Sequence, residues 1–309
     1  VNIGYMSFLA VVAALGGYLF GYDTAVISGT ISQIASQFSL DTIEQGWYVG
    51  CALVGSIAGV AVAGILSDKF GRKKILILSA VLFSVSAIGC ALSSNFNQLV
   101  WFRIMGGMGI GVVSIVSPLY ISEVSAAEYR GRLVALYQLA ITIGFLGAYL
   151  VNFGLLNYST GSSSALTIPV MYKIFHTEVW RSMLGMAFIP AVMFFIAIFF
   201  IPESPRWLIL KKQEAKAGKT LFRIYRSQTV VAHEMNETKK VVQGEIKTDW
   251  RLLFKPGIMR AILIGCAIAI LGQFMGVNAV LYYGPTIFEN NGLSGGDSLF
   301  YQVMVGLAN

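Results

Sequence analysis

One acidic and one basic side chain stand alone inside long apolar stretches of this sequence. Asp23 is the single charged residue between about residues 5 and 31, and Arg103 is the single one in the apolar run 98–122. A carboxylate in hydrocarbon costs roughly 2.5–3.5 kcal/mol on insertion scales, so it needs a cation, a water-filled cavity or a proton. The sequence therefore predicts that Asp23 pairs with Arg103. Asp23 fits either a functional carboxylate or a permanent partner that only locks two helices together.

Other polar residues of interest flank the apolar runs or interrupt them. Asp68 and Arg72 flank Gly71, which permits a sharp turn. The two charged residues either form an ion pair that joins two helix ends, or they are simply the solvent-exposed charges of a cytoplasmic turn. A second acid–base cluster occupies residues 123–132, and prolines bracket the segment 202–205. The amide of Gln138 lies in an apolar setting, where it needs hydrogen-bond partners. Gln138 therefore either bonds a neighbouring helix or lines a polar cavity.

The elements that position these residues are membrane-spanning helices. Hydrophobic residues make up 56% of the 309 residues and charged residues only 12%, against about 25% charge in a soluble domain. A span needs about 20 apolar residues. Seven runs meet that length, and an eighth begins near Ser298. The seven runs are 5–31, 46–66, 75–94, 98–122, 133–158, 182–202 and 261–288.

The positive charge is distributed as expected for a membrane protein rather than for a nucleic-acid-binding one. The net charge is +7, and 19 of the 22 Lys and Arg residues lie in three segments, 67–74, 123–132 and 203–260. These segments follow the second, fourth and sixth runs, so the positive-inside rule places them and the N-terminus in the cytoplasm. We expect a six-helix membrane bundle over 1–202, a cytoplasmic helical linker over 203–255, and the start of a second bundle over 256–309.

The seventh run repeats the pattern of the first. Gly17, Gly21 and Gly29 recur as Gly272, Gly276 and Gly284 at the same spacing, and Asp23 falls on Asn278. Repeated membrane halves with glycine-interrupted helices are the sequence sign of a substrate site between the halves.

Catalysis and metal binding find little support in the sequence. The three cysteines lie in apolar runs without a C-x-x-C pair, so we expect small buried side chains rather than metal ligands. The two histidines, His176 and His233, lie in loops far apart along the chain, and no nucleophile–base pair is apparent. We therefore expect neither an enzyme nor a bound cofactor.

Several motifs occur in order along nearly the whole chain and resemble the sugar porter family of the major facilitator superfamily, in particular its bacterial proton-coupled xylose symporters. They are Gly21–Gly29, Asp68–Lys73, Arg103–Gly111, Pro118–Arg130, Pro202–Leu208 and Gln273–Tyr283. The resemblance implies an all-α fold of two six-helix bundles, of which this chain reaches into span 8. It also implies proton coupling at Asp23 with Arg103 as partner.

The resemblance assigns two further sets of residues. The positions that contact sugar fall on Phe20, Gln138, Gln273, Asn278, Tyr282 and Asn309. The cytoplasmic charge network falls on Asp68, Arg72, Glu123, Arg130, Glu203 and Arg206. Amides and aromatic rings suit the hydroxyls and the apolar face of a sugar. Gly272 and Phe145 stand where the xylose symporters carry glutamine. The loss of these two amides argues against xylose as the substrate, but not against sugar recognition in general.

The resulting expectation is a multi-pass transporter of the inner or plasma membrane, monomeric, that moves a pentose or hexose together with a proton by alternating access. Its partners would be the monosaccharide, the proton and the lipid bilayer, with no nucleic acid. An uncoupled sugar facilitator shares the fold and sugar site but lacks coupling. A sugar sensor that does not transport is the third possibility.

Overall fold

A computed structural model describes residues 1–161, 169–244 and 254–309, and all regular structure in these ranges is helical. Seven helical segments are long and apolar enough to cross a membrane. The predicted all-helical, multi-pass fold is thereby confirmed. Part of the segment between the fifth and sixth predicted spans and part of the predicted linker 203–255 lie outside the described residues, and the division into two bundles and a linker stays a prediction.

Within the described residues, the first six spans and their connections contain nine α-helices. They are α1 (Ile3–Val26), α2 (Ile31–Phe38), α3 (Thr42–Phe70), α4 (Arg72–Leu92), α5 (Phe96–Val124), α6 (Arg130–Gly161), α7 (Pro169–Tyr172), α8 (Val179–Gly185) and α9 (Phe188–Phe199). The helices that follow are α10 (Pro205–Leu210), α11 (Glu214–Tyr225), α12 (Gln228–Gly244), α13 (Pro256–Phe274), α14 (Val277–Asn290) and α15 (Gly295–Ala308).

Helix ends lie where the sequence supplies capping groups. Asp41 accepts from the backbone N–H of Glu44 at 2.7 Å, and the Glu44 carboxylate accepts from Asp41 in return at 3.1 Å, which forms a capping box at the start of α3. Asn95 caps α5 by accepting from the N–H of Gln98 at 2.9 Å. Gly71 ends α3 with a φ of 103°, a conformation that residues with a Cβ rarely adopt.

Two of the predicted spans are interrupted. The sixth is divided into α8 and α9 by a turn at residues 186–187, because Pro190 cannot donate a backbone hydrogen bond to Met186 four residues earlier. The seventh is divided into α13 and α14 at Gly276, whose φ of 75° ends one helix and starts the next. Hydropathy alone predicted both spans as continuous.

Glycines bring the helices of the first half into backbone contact. A Cβ on Gly55 or Gly59 of α3 would overlap the carbonyl oxygens of Ile104 or Met108 on α5. The relation is reciprocal, since Gly107 of α5 faces a carbonyl of α3 in the same way. Small residues at such positions let membrane helices approach closely. Helices α3 and α5 therefore pack backbone to backbone.

The helices of the second half differ in how much they are covered. All of α13 is exposed or half-exposed, including Cys266, so the prediction that all three cysteines are buried is wrong for this one, while Cys51 and Cys90 are buried. Helix α15 instead packs against α6, and α14 packs against α15 and against residues 27–29, the short helical turn that follows α1. A hydrogen bond of 2.7 Å from the Ser32 hydroxyl to Glu289 joins α2 to α14.

Candidate functional site

Asp23 and Arg103, the two lone charges, are in contact. Nη1 of Arg103 lies 3.1 Å from both carboxylate oxygens of Asp23 and 3.3 Å from its backbone oxygen. Both residues are buried, at 7% and 2% exposure respectively. Within the described residues, Nε of Arg103 has no hydrogen-bond partner. One guanidinium nitrogen therefore carries the whole interaction.

Small residues make room for this pair between α1, α4 and α5. A Cβ on Gly106 would lie 2.5 Å from the Ser86 hydroxyl oxygen and 3.6 Å from Oδ1 of Asp23. Ser86 in turn donates to the backbone carbonyl of Phe102 at 2.7 Å. A glycine at position 106 is therefore needed for α4 and α5 to close around the carboxylate.

The six predicted sugar-contact residues have different surroundings. Gln273 and Asn278 are exposed and meet across the break in the seventh span, where Nδ2 of Asn278 donates to Oε1 of Gln273 at 2.8 Å. Phe20 and Tyr282 are half-buried and pack against the hydrophobic core.

The other two predicted sugar-contact residues are more isolated. Gln138 on α6 and Asn309 at the end of α15 are exposed. Among the residues that the structure describes, neither side chain donates or accepts a hydrogen bond, so the alternative in which Gln138 bonds a neighbouring helix finds no support there. An exposed amide keeps its full capacity for a ligand.

The predicted charge network contains a core of four residues at the ends of the spans, called here the charge cluster: Asp68, Arg72, Glu123 and Glu203. Arg72 binds Glu123 through two parallel hydrogen bonds of 2.9 Å, from Nε and from Nη2. Its remaining nitrogen, Nη1, contacts Asp68 at 2.9 Å and the carbonyl of Ser67 at 3.2 Å. Every nitrogen of this guanidinium therefore has a partner.

Glu203 joins the cluster through backbone donors. Its carboxylate accepts from the N–H of Lys73 at 3.1 Å and from the N–H of Ser204 at 2.9 Å. Ser204 also donates its hydroxyl to Glu123 at 2.5 Å and caps α10. Burial raises the pKa of Glu203 even though these donors favour its charged form. The acid therefore links the start of α4 to the segment after α9.

Arg130 and Arg206, the remaining two members of the predicted network, lie beside the charge cluster rather than at its centre. Both line a cavity of about 280 Å³ together with Glu123 and with residues of α11 and α12. Arg206 also lines a neighbouring cavity with Asp68 and Arg72. The cluster thus opens onto the helices α10 to α12.

Comparison with known proteins identifies the family. The model for the family described as sugar (and other) transporter matches residues 9–309. The chain belongs to the sugar transporter family of the major facilitator superfamily. The arabinose-proton symporter of Bacillus subtilis is 38% identical over 291 residues, 94% of this chain and 60% of its own length. The D-xylose transporter of Levilactobacillus brevis is 38% identical over 313 residues, 100% of this chain and 63% of its own length.

A solved structure matches the fold as well. The proton:xylose symporter XylE bound to 6-bromo-6-deoxy-D-glucose superposes with a TM-score of 0.84 at 34% identity, covering 99% of this chain and 67% of that one. These similar proteins are transporters by name rather than enzymes. The chain spans about 60% of the length of the curated relatives it matches. As a family member, it is a multi-pass membrane protein.

Sequence reasoning missed several polar contacts inside the membrane helices. Tyr149 of α6 donates its hydroxyl to the backbone carbonyl of Leu281 on α14 at 3.0 Å, and Nε2 of Gln302 on α15 donates to the same carbonyl at 3.1 Å. Asn152, also on α6, donates to the carbonyl of Val26 at 3.0 Å. Polar residues inside apolar runs are the signal that would have singled out these three side chains.

Proposed function

We propose that the protein is a secondary active transporter that moves a monosaccharide together with a proton by alternating access. The observation that supports this most is the buried pair of Asp23 and Arg103. Both charges lie inside predicted spans, where burying an ionisable residue costs free energy. Such residues therefore usually mark a substrate or ion pathway or a proton relay. The arabinose-proton and proton:xylose symporters to which the chain is similar favour the same assignment.

In this mechanism Asp23 is the proton-binding group. As a carboxylate it accepts from Nη1 of Arg103 through both oxygens. A proton neutralises the carboxylate and removes the ionic part of the interaction, so the pair separates more easily. The first span is then free to move relative to α5. Arg103 keeps its charge throughout, because a guanidinium does not lose its proton in proteins.

Sugar binding falls to residues that remain uncharged. Gln138, Gln273, Asn278 and Asn309 present exposed amides, and a sugar hydroxyl can donate to and accept from an amide in one contact. The rings of Phe20 and Tyr282 offer apolar faces. The sugar is a pentose or a hexose, since the similar proteins are named for sugars of both sizes.

The charge cluster closes the transporter on the side of the basic loops, which the positive-inside rule assigns to the cytoplasm together with the N-terminus. Arg72 holds Glu123 and Asp68 across the ends of three helices. In alternating access these contacts form when the site faces outward and separate when it faces inward.

Asp23→Asn tests the proposal. An amide at this position has no charge to titrate but keeps similar size. In proteoliposomes, the variant should lose accumulation of labelled sugar driven by a proton gradient, whereas sugar counterflow without a gradient should persist. If the variant still concentrates sugar as the gradient dictates, Asp23 is not the coupling group.

An uncoupled facilitator is the second candidate, and one observation favours it. Asp23 binds Arg103 with both oxygens in a buried site, and a permanent ion pair that only locks two helices together would have the same geometry. The same proteoliposomes separate the candidates. A facilitator would equilibrate pentoses and hexoses at the same rate with and without a proton gradient, and it would carry no proton flux when sugar is added.

A further inference from the structure

The helix α14 contains a proline, and a backbone carbonyl loses its partner as a result. Pro285 lies inside α14 and has no N–H. The acceptor four residues earlier is Leu281, so its carbonyl oxygen receives no hydrogen bond from within the helix. Leu281 is 5% exposed, and leaving a buried carbonyl without a hydrogen-bond donor is costly. The oxygen therefore needs a donor from another element.

Two other helices supply the donors. The Tyr149 hydroxyl of α6 reaches the Leu281 oxygen at 3.0 Å, and the Gln302 amide of α15 reaches it at 3.1 Å. Tyr149 is 1% exposed and Gln302 is fully buried. Gly284 accommodates the Gln302 side chain and Gly306 accommodates the Tyr149 ring, since a Cβ on either glycine would overlap them. The residues around the oxygen are thus matched to it.

We infer that Tyr149 is a positioning residue for transport, which holds α14 against α6 through the carbonyl that Pro285 releases. Tyr149 comes from the first six spans and Leu281 from the seventh, so this bond joins the two halves of the chain. The inference rests on the proposed function in one respect: α14 carries Asn278 and Tyr282, the proposed sugar contacts. The position of α14 then decides how well these two residues meet the sugar.

The face of α6 that carries Tyr149 makes hydrogen bonds to both halves of the chain. Asn152 lies one helical turn further along and donates to Val26 at the end of α1. Helix α6 therefore binds a carbonyl at the end of α1 with one side chain and the carbonyl of Leu281 on α14 with the other. The bond within the first half is expected to persist during transport, whereas the bond between the halves is expected to break and reform.

The variants Tyr149→Phe and Pro285→Ala test the inference together. The first removes one of the two donors to the Leu281 oxygen, the one that comes from the first half of the chain, while Gln302 of α15 still donates. The second restores an N–H that satisfies Leu281 within α14, so that Tyr149 is no longer required. Tyr137→Phe on the same helix is the matched control, because the Tyr137 hydroxyl is buried and has no hydrogen-bond partner among the described residues.

Hydrogen–deuterium exchange of the amides in 277–290 gives a readout that does not depend on transport. We expect Tyr149→Phe to speed exchange about three- to fivefold, as for one hydrogen bond between helices. The same substitution should change exchange little in the Pro285→Ala background or at Tyr137. Equal acceleration with and without Pro285, or equal effects of the two tyrosine substitutions, would overturn the inference. Should Pro285→Ala fail to fold, the comparison of the two tyrosine variants decides alone.

Sugar counterflow provides the functional readout. Tyr149→Phe should raise the KM for sugar about threefold while the maximal rate changes less, because a misplaced α14 weakens binding first. A fall in the maximal rate with an unchanged KM would contradict positioning of the sugar contacts. If no sugar is transported by the unmodified protein, the proposed function fails, while the exchange data still judge the role of Tyr149.

Discussion

Two arginine–carboxylate pairs can be compared, one inside the spans and one at their ends. Arg103 and Arg72 are equally well buried, at 2% and 4% exposure. Arg72 uses all three nitrogens, with Glu123 held by two parallel bonds of 2.9 Å. Arg103 uses one nitrogen for Asp23 at 3.1 Å. The two pairs share the same chemistry but differ in how completely the guanidinium is bound.

The number of guanidinium nitrogens that are bound suits the two arginines to two different tasks. A bidentate pair with further hydrogen bonds has a fixed geometry and is hard to break, which suits a contact that holds helix ends together. A pair held by one nitrogen has fewer hydrogen bonds to lose when its helices separate, which suits a contact that breaks and reforms. Under the proposed function, Arg72 would hold the helix ends together, and the Asp23–Arg103 pair would be the contact that breaks when a proton binds.

The largest effect is expected from Arg103→Met, which leaves the Asp23 carboxylate buried without its cation. Removing one partner of a buried pair costs about 3–5 kcal/mol. The thermal unfolding midpoint in detergent should fall accordingly, and Asp23→Asn added to Arg103→Met should recover much of the loss because no unpaired charge remains. An unchanged midpoint in Arg103→Met would show that Asp23 is neutral in the resting protein.

Lysine substitutions compare the two arginines directly. Lysine supplies one charged nitrogen, so Arg103→Lys can reproduce the contact with Asp23, whereas Arg72→Lys loses the parallel bonds to Glu123. We expect Arg72→Lys to lower the free energy of unfolding by about 1–3 kcal/mol, and Arg103→Lys by less. Thermal unfolding of both variants shows which substitution destabilises the protein more. A larger loss of stability in Arg103→Lys than in Arg72→Lys would contradict the distinction between the two arginines.

The smallest effect concerns pH at the charge cluster. Because burial raises the pKa of Glu203, the folded protein binds this proton more tightly than the unfolded chain does. This contribution to stability is present below about pH 4.3, the ordinary pKa of Glu, and is lost as pH rises through the raised value. Glu203→Gln should flatten this decline by less than about 1 kcal/mol, read from unfolding midpoints between pH 4 and 7. A steeper decline in the variant would contradict the raised pKa.

The sequence predicted the spans and the contact between Asp23 and Arg103 for simple reasons. A run of about 20 apolar residues has few alternatives to a membrane helix, and two lone charges in such runs have few possible partners other than each other. Each of these inferences depends on residue type and spacing alone.

Other features depend on geometry that residue types do not encode. Hydropathy could not predict the break at Gly276, because a glycine in an apolar run is compatible with helical and left-handed backbone alike. The hydrogen bond from Tyr149 to Leu281 could not be predicted from the sequence for a related reason. Pro285 indicates which carbonyl is released, but only the packing of α6 against α14 shows which side chain reaches it.

The glycine contacts between α3 and α5 have a mechanical consequence. Where two backbones touch, no flexible side chain lies between them to absorb displacement. Helices α3 and α5 are therefore expected to move as one rigid unit where their backbones touch. Helix α5 also carries one partner of each ion pair, Arg103 and Glu123. The two residues are 20 positions apart, or about 30 Å along a helix. In the proposed mechanism, a displacement of α5 that starts at Arg103 would therefore carry the contacting part of α3 with it.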